Sequence, residues 1–198
     1  DGLTLVAHRA RLMQSTAPGT MLAVGASADA LAPWLDGAGV DLAAINGPGA
    51  AVVSGPADAI AALAARLTAA GIAARPLAVS HASHSRLMEP VLAEFEAAIA
   101  GLTYRAPTLP LINNLTGQRA AAGEHDAAYW RRHLRQTVRF ADGMRALAAL
   151  DIDVVVEIGP GATLIKLLEP TGLLPACGGL PSMRRGAGEL ATLEATAA

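Results

Sequence analysis

Two histidines lie three residues apart in the segment Ser80-His81-Ala82-Ser83-His84-Ser85. The segment separates a predicted strand, residues 72–79, from a predicted helix, residues 85–100. A histidine at such a junction is well placed to act as a general base, because its pKa lies near working pH. Both histidines could instead be polar capping residues. The His-x-x-His spacing also fits a metal pair, but no cysteine or carboxylate cluster completes a site, so we expect no metal.

Arg9 is the second residue that could do chemistry. It lies on a predicted helix, residues 4–14, whose neighbouring positions are apolar at helical spacing. Arginine holds a carboxylate through two parallel charge-assisted hydrogen bonds, which lysine cannot match. Arg9 is therefore a candidate carboxylate ligand, and the alternative is a solvated surface arginine.

The sequence contains no recognisable nucleophile motif. There is no Gly-x-Ser-x-Gly elbow, no Gly-x-x-x-x-Gly-Lys phosphate loop and no Gly-x-Gly-x-x-Gly after a strand. Cys177 follows Pro175 with no obvious base nearby in the sequence, so we do not expect a catalytic thiol. His125 lies in a predicted loop and is expected to be inert.

Composition restricts the possible partners and compartments. The 198 residues are 53% hydrophobic and 16% charged, with a formal net charge of −2. This length and composition suit one domain, or two small subdomains, and the charge gives no field for nucleic acid or anionic membranes. No apolar run approaches the roughly 18 residues of a membrane span. The single Cys177 favours the reducing cytoplasm, and the start at Asp1 without Met suggests a piece of a longer chain.

The order of the elements predicts an α/β protein. Residues 19–80 read as β-α-β-β-α-β, which matches the split ferredoxin-like arrangement. Residues 154–158 form a continuous apolar run that predicts a strand in a parallel sheet, and Gly159-Pro160-Gly161 turns it into a helix. We therefore expect the small ferredoxin-like subdomain to be inserted into a larger α/β domain, formed by residues 1–18 and 81–177. Residues 178–198 are expected to be a C-terminal linker.

A set of motifs runs in order along nearly the whole chain. They are Arg9-x-x-Leu12-Met13-Gln14, Asn46-Gly47-Pro48, Val53-Ser54-Gly55, His81-Ala82-Ser83-His84-Ser85-x-Leu87-Met88, Tyr129-Trp130, Val138-Arg139-Phe140, Glu157-Ile158-Gly159-Pro160 and Pro181-Ser182-Met183-Arg184-Arg185-Gly186. In this order they resemble the acyltransferase domains of type I polyketide synthases, which transfer malonyl or methylmalonyl groups from coenzyme A to a carrier protein. The resemblance implies an α/β-hydrolase-like parallel-sheet domain with an inserted ferredoxin-like subdomain.

The resemblance also assigns roles to individual residues. His84 is implied as the base that activates a serine nucleophile, and Arg9 as the ligand of the acyl carboxylate. The main-chain carbonyl that orients the base falls on His133, whose side chain would be incidental. Asn46 lies where the family approaches the coenzyme or the pantetheine arm.

In the family the serine lies on an elbow upstream of the arginine, which places it before Asp1. As written, the sequence cannot form the acyl-enzyme, and we expect the elbow on a longer chain. The resemblance implies no permanently bound cofactor, with malonyl-CoA or methylmalonyl-CoA as substrate. It implies as partners an acyl carrier protein bearing phosphopantetheine and the ketosynthase and other domains of a cytoplasmic multienzyme.

The extender unit is left open by the specificity motif. In the family a bulky Phe in the third place accompanies malonyl, and Tyr-Ala-Ser-His accompanies methylmalonyl. Here His81 follows the malonyl pattern, whereas Ser83 leaves room for a methyl branch, and we lean slightly to malonyl. Two other classes remain possible: a non-catalytic interaction domain, and a thioesterase-like hydrolase, against which the cation of Arg9 argues.

Overall fold

The computed structural model describes residues 1–175, 178–184, 186 and 192. The chain divides into two compact units, Asp1–Ala141 and Asp142–Ala198. Cys177 lies outside the described residues. None of the described helices is long and apolar enough to cross a bilayer.

A four-stranded antiparallel sheet forms much of the first unit. Its strands are β1 (Thr20–Val24), β2 (Asp41–Gly47), β3 (Ala50–Gly55) and β4 (Ala74–Pro76), and helices α2 (Ala28–Leu35) and α3 (Ala57–Ala69) connect them. The strand order is β2-β3-β1-β4, and every neighbouring pair is antiparallel. This is the predicted β-α-β-β-α-β arrangement.

The local sequence explains where these helices begin and how they pack. The hydroxyl oxygen of Ser27 accepts a hydrogen bond from the Ala30 N–H (3.2 Å) and caps α2. Gly71, at φ 75°, follows α3 and supplies the left-handed conformation that ends the helix. The two helices bury an aliphatic core against the sheet. Its fully or almost fully buried members are Leu22, Leu31, Val53, Ile60, Leu63 and Leu67.

Three helices and a 3₁₀ helix form a second core in the same unit. They are α1 (Gly2–Gln14), the 3₁₀ helix Arg86–Val91, α4 (Leu92–Ile99) and α5 (Ala127–Arg135). Leu12, Met88, Phe95, Ile99 and Leu134 are buried where these elements meet. This core joins α1 and α5 to the 3₁₀ helix that follows His84 in the chain.

The predicted helix 85–100 is divided. Ser85 caps the 3₁₀ helix, whose fifth residue is Pro90, and the α-helix begins only at Leu92. Proline lacks the N–H that an α-helix needs and its ring clashes with the carbonyl four residues earlier, here that of Arg86. The first turn is therefore tighter than predicted.

The apolar patterns of residues 72–79 and 110–115 each predict a strand, and both strands are shorter in the structure. Only residues Ala74–Pro76 of the segment 72–79 pair with β1. In the segment 110–115 only Ile112 forms a bridge, to Arg119. The side-chain oxygen of Asn113 accepts the Leu115 N–H (2.7 Å), and this local turn competes with strand pairing.

The second unit contains a parallel strand pair. Strands β5 (Val155–Glu157) and β6 (Gly179–Pro181) pair in parallel, and helix α7 (Thr163–Leu168) follows β5. Helix α6 (Phe140–Ala148) begins just before the unit boundary, and α5 ends at Arg135. The strand β6 lies within residues 178–198, which were expected to be a linker. The weak pattern there hid it, because a three-residue strand shows too few alternations to detect.

Candidate active site

His84 has a constrained backbone. It adopts φ 60°, a left-handed conformation that is uncommon outside glycine. Its N–H donates to the carbonyl of Leu134 on α5 (3.2 Å), and Ser85 closes the next turn by donating to the carbonyl of Ala82 (2.7 Å). Ala82 is fully buried, and a Cβ at Gly19 would lie 2.6 Å from its own Cβ. The loop is thus packed tightly on the start of β1, which holds the strained residue in place.

The ring of His84 has a defined tautomer. Its Nδ1 lies 2.9 Å from the carbonyl oxygen of Gln136. A carbonyl oxygen can only accept, so Nδ1 carries the proton of the neutral ring. Nε2 then has a free lone pair, as a general base requires.

The surroundings keep His84 neutral. Burial lowers its pKa below the ordinary value, and the positive charge of Arg9 lowers it further. The carbonyls of Gln136 and His133 act in the opposite direction, but the net shift is downward. The ring can therefore accept a proton at neutral pH.

The orienting carbonyl differs in part from the sequence prediction. The prediction named His133, whereas the hydrogen bond at 2.9 Å is formed by Gln136, three residues later. The carbonyl of His133 is the lesser contributor to the pKa of His84. The difference arises because α5 ends at Arg135, and the extended Gln136 turns its carbonyl towards the ring.

The side chain of His133 takes part in a cluster of rings that sequence reasoning missed. Its ring meets that of His84 edge to face at 5.6 Å between centroids, and it also contacts Tyr129 and Trp130. Burial is the main cause that lowers the pKa of His133 to about 4, and the positive charge of Arg9 acts in the same direction. The side chain of His133 is therefore uncharged at neutral pH and packs against the ring of His84. The Tyr129-Trp130 motif at helical spacing from His133 was the signal for this cluster.

The positive charge of Arg9 lowers the pKa of both His84 and His133, so the guanidinium acts electrostatically on both rings. Its side chain is half-buried, and burial lowers its own pKa. None of the ion pairs found among the described residues includes Arg9. By contrast Arg11, two residues along α1, is exposed and pairs with Glu94 at 3.1 Å. A half-buried guanidinium without a carboxylate partner is suited to bind an anionic ligand.

The remaining candidates are distributed over two elements. His81 and Ser83 share the loop of His84, and the Nδ1 of His81 lies 2.9 Å from the hydroxyl of Ser80. Asn46 is half-buried on β2 and forms no side-chain hydrogen bond within the described part of the chain. The structure therefore brings Arg9, His84 and His133 together, but it shows no contact that joins Asn46 to them.

Strand β2 forms hydrogen bonds with the residues that follow Gln136. Nothing in the sequence indicated this pairing. The Val138 N–H donates to the Ala43 carbonyl (2.9 Å), and the Ile45 N–H donates to the Val138 carbonyl (2.9 Å). The hydroxyl of Thr137 donates to the Leu42 carbonyl (2.7 Å). The residues after Gln136 thus extend the sheet by a short parallel contact.

The described residues contain no cluster of three or more histidine, cysteine or carboxylate side chains that could hold a metal ion.

A family model for the acyl transferase domain matches residues 1–198. Mycoketide-CoA synthase from Mycobacterium tuberculosis is 44% identical over 194 residues, which are 98% of this chain and 5% of that protein.

Solved structures are similar over the same length. The acyltransferase domain from the second module of the salinomycin polyketide synthase superposes with a TM-score of 0.92 at 40% identity, covering 98% of this chain and 46% of that one. The acyl transferase domain of SpnD in complex with 2-(pent-4-yn-1-yl)malonyl gives a TM-score of 0.88 at 38% identity, covering 98% and 48%. This chain spans about half the length of these solved domains. These matches confirm the predicted α/β fold, and the chain belongs to the acyl transferase domain family found in polyketide synthases.

Proposed function

We propose that this chain supplies the base and the carboxylate ligand of an acyltransferase that loads a malonyl-type extender unit from coenzyme A onto an acyl carrier protein in polyketide biosynthesis. The observation that carries the proposal is the placement of a half-buried arginine, without an ion-pair partner among the described residues, beside a neutral histidine of fixed tautomer. The family membership and the malonyl compound named in the SpnD complex support it.

The first half-reaction forms an acyl-enzyme. The serine hydroxyl gives its proton to Nε2 of His84 while its oxygen attacks the thioester carbonyl. The carbon–sulfur bond of the tetrahedral intermediate then breaks, and the departing coenzyme A sulfur takes the proton from Nε2. We propose that this serine lies on a segment that precedes Asp1 in a longer chain, as the family resemblance implies.

The second half-reaction reverses the roles. The phosphopantetheine thiol of the carrier protein gives its proton to Nε2 of His84, and its sulfur attacks the acyl-serine ester. The ester carbon–oxygen bond then breaks, and the serine oxygen recovers the proton. His84 thus serves as base and acid in turn, and its lowered pKa favours the proton-accepting form before each attack.

Arg9 selects the acyl group in this scheme. A malonyl or methylmalonyl group carries a free carboxylate, which pairs with the guanidinium, whereas an acetyl group leaves the buried cation unpaired. The same cation argues against a hydrolase of uncharged acyl chains.

The extender unit is proposed as malonyl, with methylmalonyl as the alternative. Ser83 and His81 lie on the loop of His84, so their side chains are candidates to contact the group at the α-carbon of the acyl chain. One methyl group is worth only about 1–3 kcal/mol in a hydrophobic pocket, so mixed use is compatible with this motif. Asn46 is retained as a candidate contact for the coenzyme or pantetheine arm.

The proposed partners are an acyl carrier protein, the ketosynthase and the other domains of the same multienzyme, in the cytoplasm. The test uses the full-length gene product that carries this sequence, with malonyl-CoA and the phosphopantetheinylated carrier protein of the same multienzyme. We expect malonyl-carrier protein to accumulate faster than free malonate, as measured by mass spectrometry. Release of free malonate with no acylated carrier would contradict a transferase and indicate a hydrolase.

A further inference from the structure

Asp41 is a carboxylate that binds Arg86, a residue two positions after His84 in the sequence. It is the first residue of β2, and its side chain is only 14% exposed. Its Oδ2 accepts from the backbone N–H (2.8 Å) and the side-chain Nε (3.1 Å) of Arg86. Its Oδ1 accepts from the Nη2 of Arg86 (3.3 Å) and from the Nη2 of Arg135 (3.3 Å). One carboxylate therefore binds two arginines and a backbone amide.

The two arginines belong to the two segments that meet at the candidate base. Arg86 is two residues after His84, and Arg135 directly precedes Gln136. The contact between these segments is the 2.9 Å hydrogen bond from Nδ1 of His84 to the carbonyl of Gln136. Asp41 thus holds both sides of the bond that fixes the tautomer of the ring.

The backbone of β2 continues the same connection. The residues directly after Asp41 accept and donate the bonds that pair Thr137 and Val138 with the strand. Arg135 also pairs with Glu89 of the 3₁₀ helix at 2.9 Å, which closes the network on the side of the His84 loop. Strand β2 therefore acts as a rigid support for the carbonyl, and Asp41 links that support to the loop of the base.

The charges in this network are matched to an ionised Asp41. Burial raises its pKa, but hydrogen bonds from Arg86 and the charges of Arg135 and Arg86 outweigh burial, so the net shift is downward. The carboxylate is negative at neutral pH and faces two cations. Removing that charge leaves Arg86 without its bidentate partner and Arg135 with Glu89 alone, which is 57% exposed.

We propose that Asp41 is a positioning residue for His84: its carboxylate, by holding Arg86 and Arg135, keeps the carbonyl of Gln136 against Nδ1 of the ring. Asp41 does not touch the reacting atoms, and its effect passes through Arg86, Arg135 and Gln136. The proposal rests on the proposed function, because positioning has a purpose only if His84 is the base.

The principal test is Asp41→Asn in the full-length gene product that carries this sequence. Asparagine keeps the size of the side chain and an acceptor for the Arg86 N–H, but it removes the charge. The matched control is Glu94→Gln, which removes the exposed ion pair with Arg11. We expect Asp41→Asn to lower kcat of acyl transfer about tenfold to a hundredfold with KM for malonyl-CoA within about twofold, because the base is displaced while the acyl-binding arginine is untouched.

A second readout does not depend on activity. Diethyl pyrocarbonate modifies neutral imidazole, and peptide mass spectrometry gives the modification rate of His84 and of His81 separately at each pH. The Gln136 carbonyl raises the pKa of His84, so loosening it should shift the pH dependence of the His84 modification rate to lower pH. The modification rate of His81 in the same protein serves as the internal reference. Thr137→Val deletes only the hydrogen bond to the Leu42 carbonyl and should shift the pH dependence of His84 modification less, in the same direction. This variant replaces Asp41→Asn in the test if Asp41→Asn does not fold.

The outcomes separate the two proposals. An unchanged kcat and an unchanged His84 titration in Asp41→Asn would overturn the positioning role, as would equal effects in Glu94→Gln. If the parent protein transfers no acyl group, the proposed function fails, and the modification rates still decide whether Asp41 positions the ring.

Discussion

The Nδ1 atom of His84 and the carbonyl oxygen of Gln136 lie 2.9 Å apart, although 52 residues separate them in the sequence. This distance fixes which nitrogen of the neutral ring carries the proton and leaves Nε2 free. The backbone of His84 is left-handed, and the carbonyls of Gln136 and His133 bond to the residue. No carboxylate of the described residues contributes to the pKa shift of the ring. An imidazole held in this way stays neutral, because no negative partner stabilises its protonated form.

Replacing His84 by alanine should remove most acyl transfer. A positioned histidine base contributes about 10²–10⁴-fold, so single-turnover acylation by malonyl-CoA should slow by that factor. The measurement is quenched-flow mass spectrometry of the full-length gene product. Added imidazole should restore part of the rate, because it can occupy the vacated volume and accept the proton. A loss smaller than tenfold would contradict the role of His84.

Replacing Arg9 by alanine should reduce discrimination between malonyl-CoA and acetyl-CoA. Charge-assisted hydrogen bonds to a buried carboxylate are worth about 1.5–3 kcal/mol, so the ratio of the two kcat/KM values should fall about 10- to 100-fold. The ratio for Arg9→Lys should lie between those of the parent protein and Arg9→Ala, because lysine keeps the charge but cannot make the two parallel hydrogen bonds. The control is Arg11→Ala on the same helix, which removes an exposed arginine. Equal loss of selectivity in both alanine variants would remove Arg9 from the acyl site.

The extender preference should respond to Ser83. A phenylalanine at this position fills the space that a methyl branch would need, so Ser83→Phe should lower methylmalonyl transfer relative to malonyl transfer. The expected change is about 10- to 100-fold, the worth of one methyl group in a closed pocket. Equimolar competition between the two coenzyme A thioesters, read by mass, measures it. An unchanged ratio would show that Ser83 does not face the α-carbon.

His133 should make the first unit less stable at acid pH. Its folded-state pKa is about 4, below the ordinary 6.5, so the unfolded chain binds the proton first and stability falls as the pH drops through 6.5 towards 4. Between pH 7 and 5 this amounts to about 2 kcal/mol. Urea unfolding followed by tryptophan fluorescence reports on this unit, because Trp34 and Trp130 both lie in it. His133→Asn should lose this part of the pH dependence, and parallel curves for both proteins would contradict it.

Glu157 should stabilise the second unit locally. Its carboxylate accepts the backbone N–H groups of Thr163, Leu164 and Ile165 at 2.9–3.0 Å, which the start of α7 leaves without helical partners. Glu157→Gln should speed amide exchange at these three residues about tenfold or more, since charged acceptors contribute about 1.5–3 kcal/mol. Exchange is measured by mass spectrometry, with Glu169→Gln as the control in the same unit. Equal exchange in both variants would exclude this cap.

The sequence predicted the small sheet because its strands and helices carry strong local signals. Ser27, Gly71 and the apolar spacing of α3 each favour the observed element. The hydrophobic pattern predicted an α-helix from Ser85, but Pro90 makes its first part a 3₁₀ helix. The pattern also predicted a strand around Asn113, but the side chain of Asn113 forms a local turn. Both errors arise from backbone hydrogen bonding that a hydrophobic pattern does not record.

The sequence allowed the identity of the main site residues to be predicted, but not the contacts that hold them in place. The resemblance selected His84 and Arg9, and the structure places them close enough for the charge of one to lower the pKa of the other. The resemblance could not identify the carbonyl of Gln136, in place of that of His133, as the partner of His84, because the partner depends on where α5 ends. Nor could it reveal the pairing of Val138 with β2, which is a long-range contact without a sequence pattern.

Formation of a covalent acyl adduct tests the central claim most directly. The full-length gene product that carries this sequence is mixed with equimolar malonyl-CoA and methylmalonyl-CoA, and its intact mass is read within one turnover. We expect an increase by one malonyl group in the parent protein, at most a small methylmalonyl fraction, and a much slower increase in His84→Ala. A folded protein that gains neither mass would contradict the acyltransferase account.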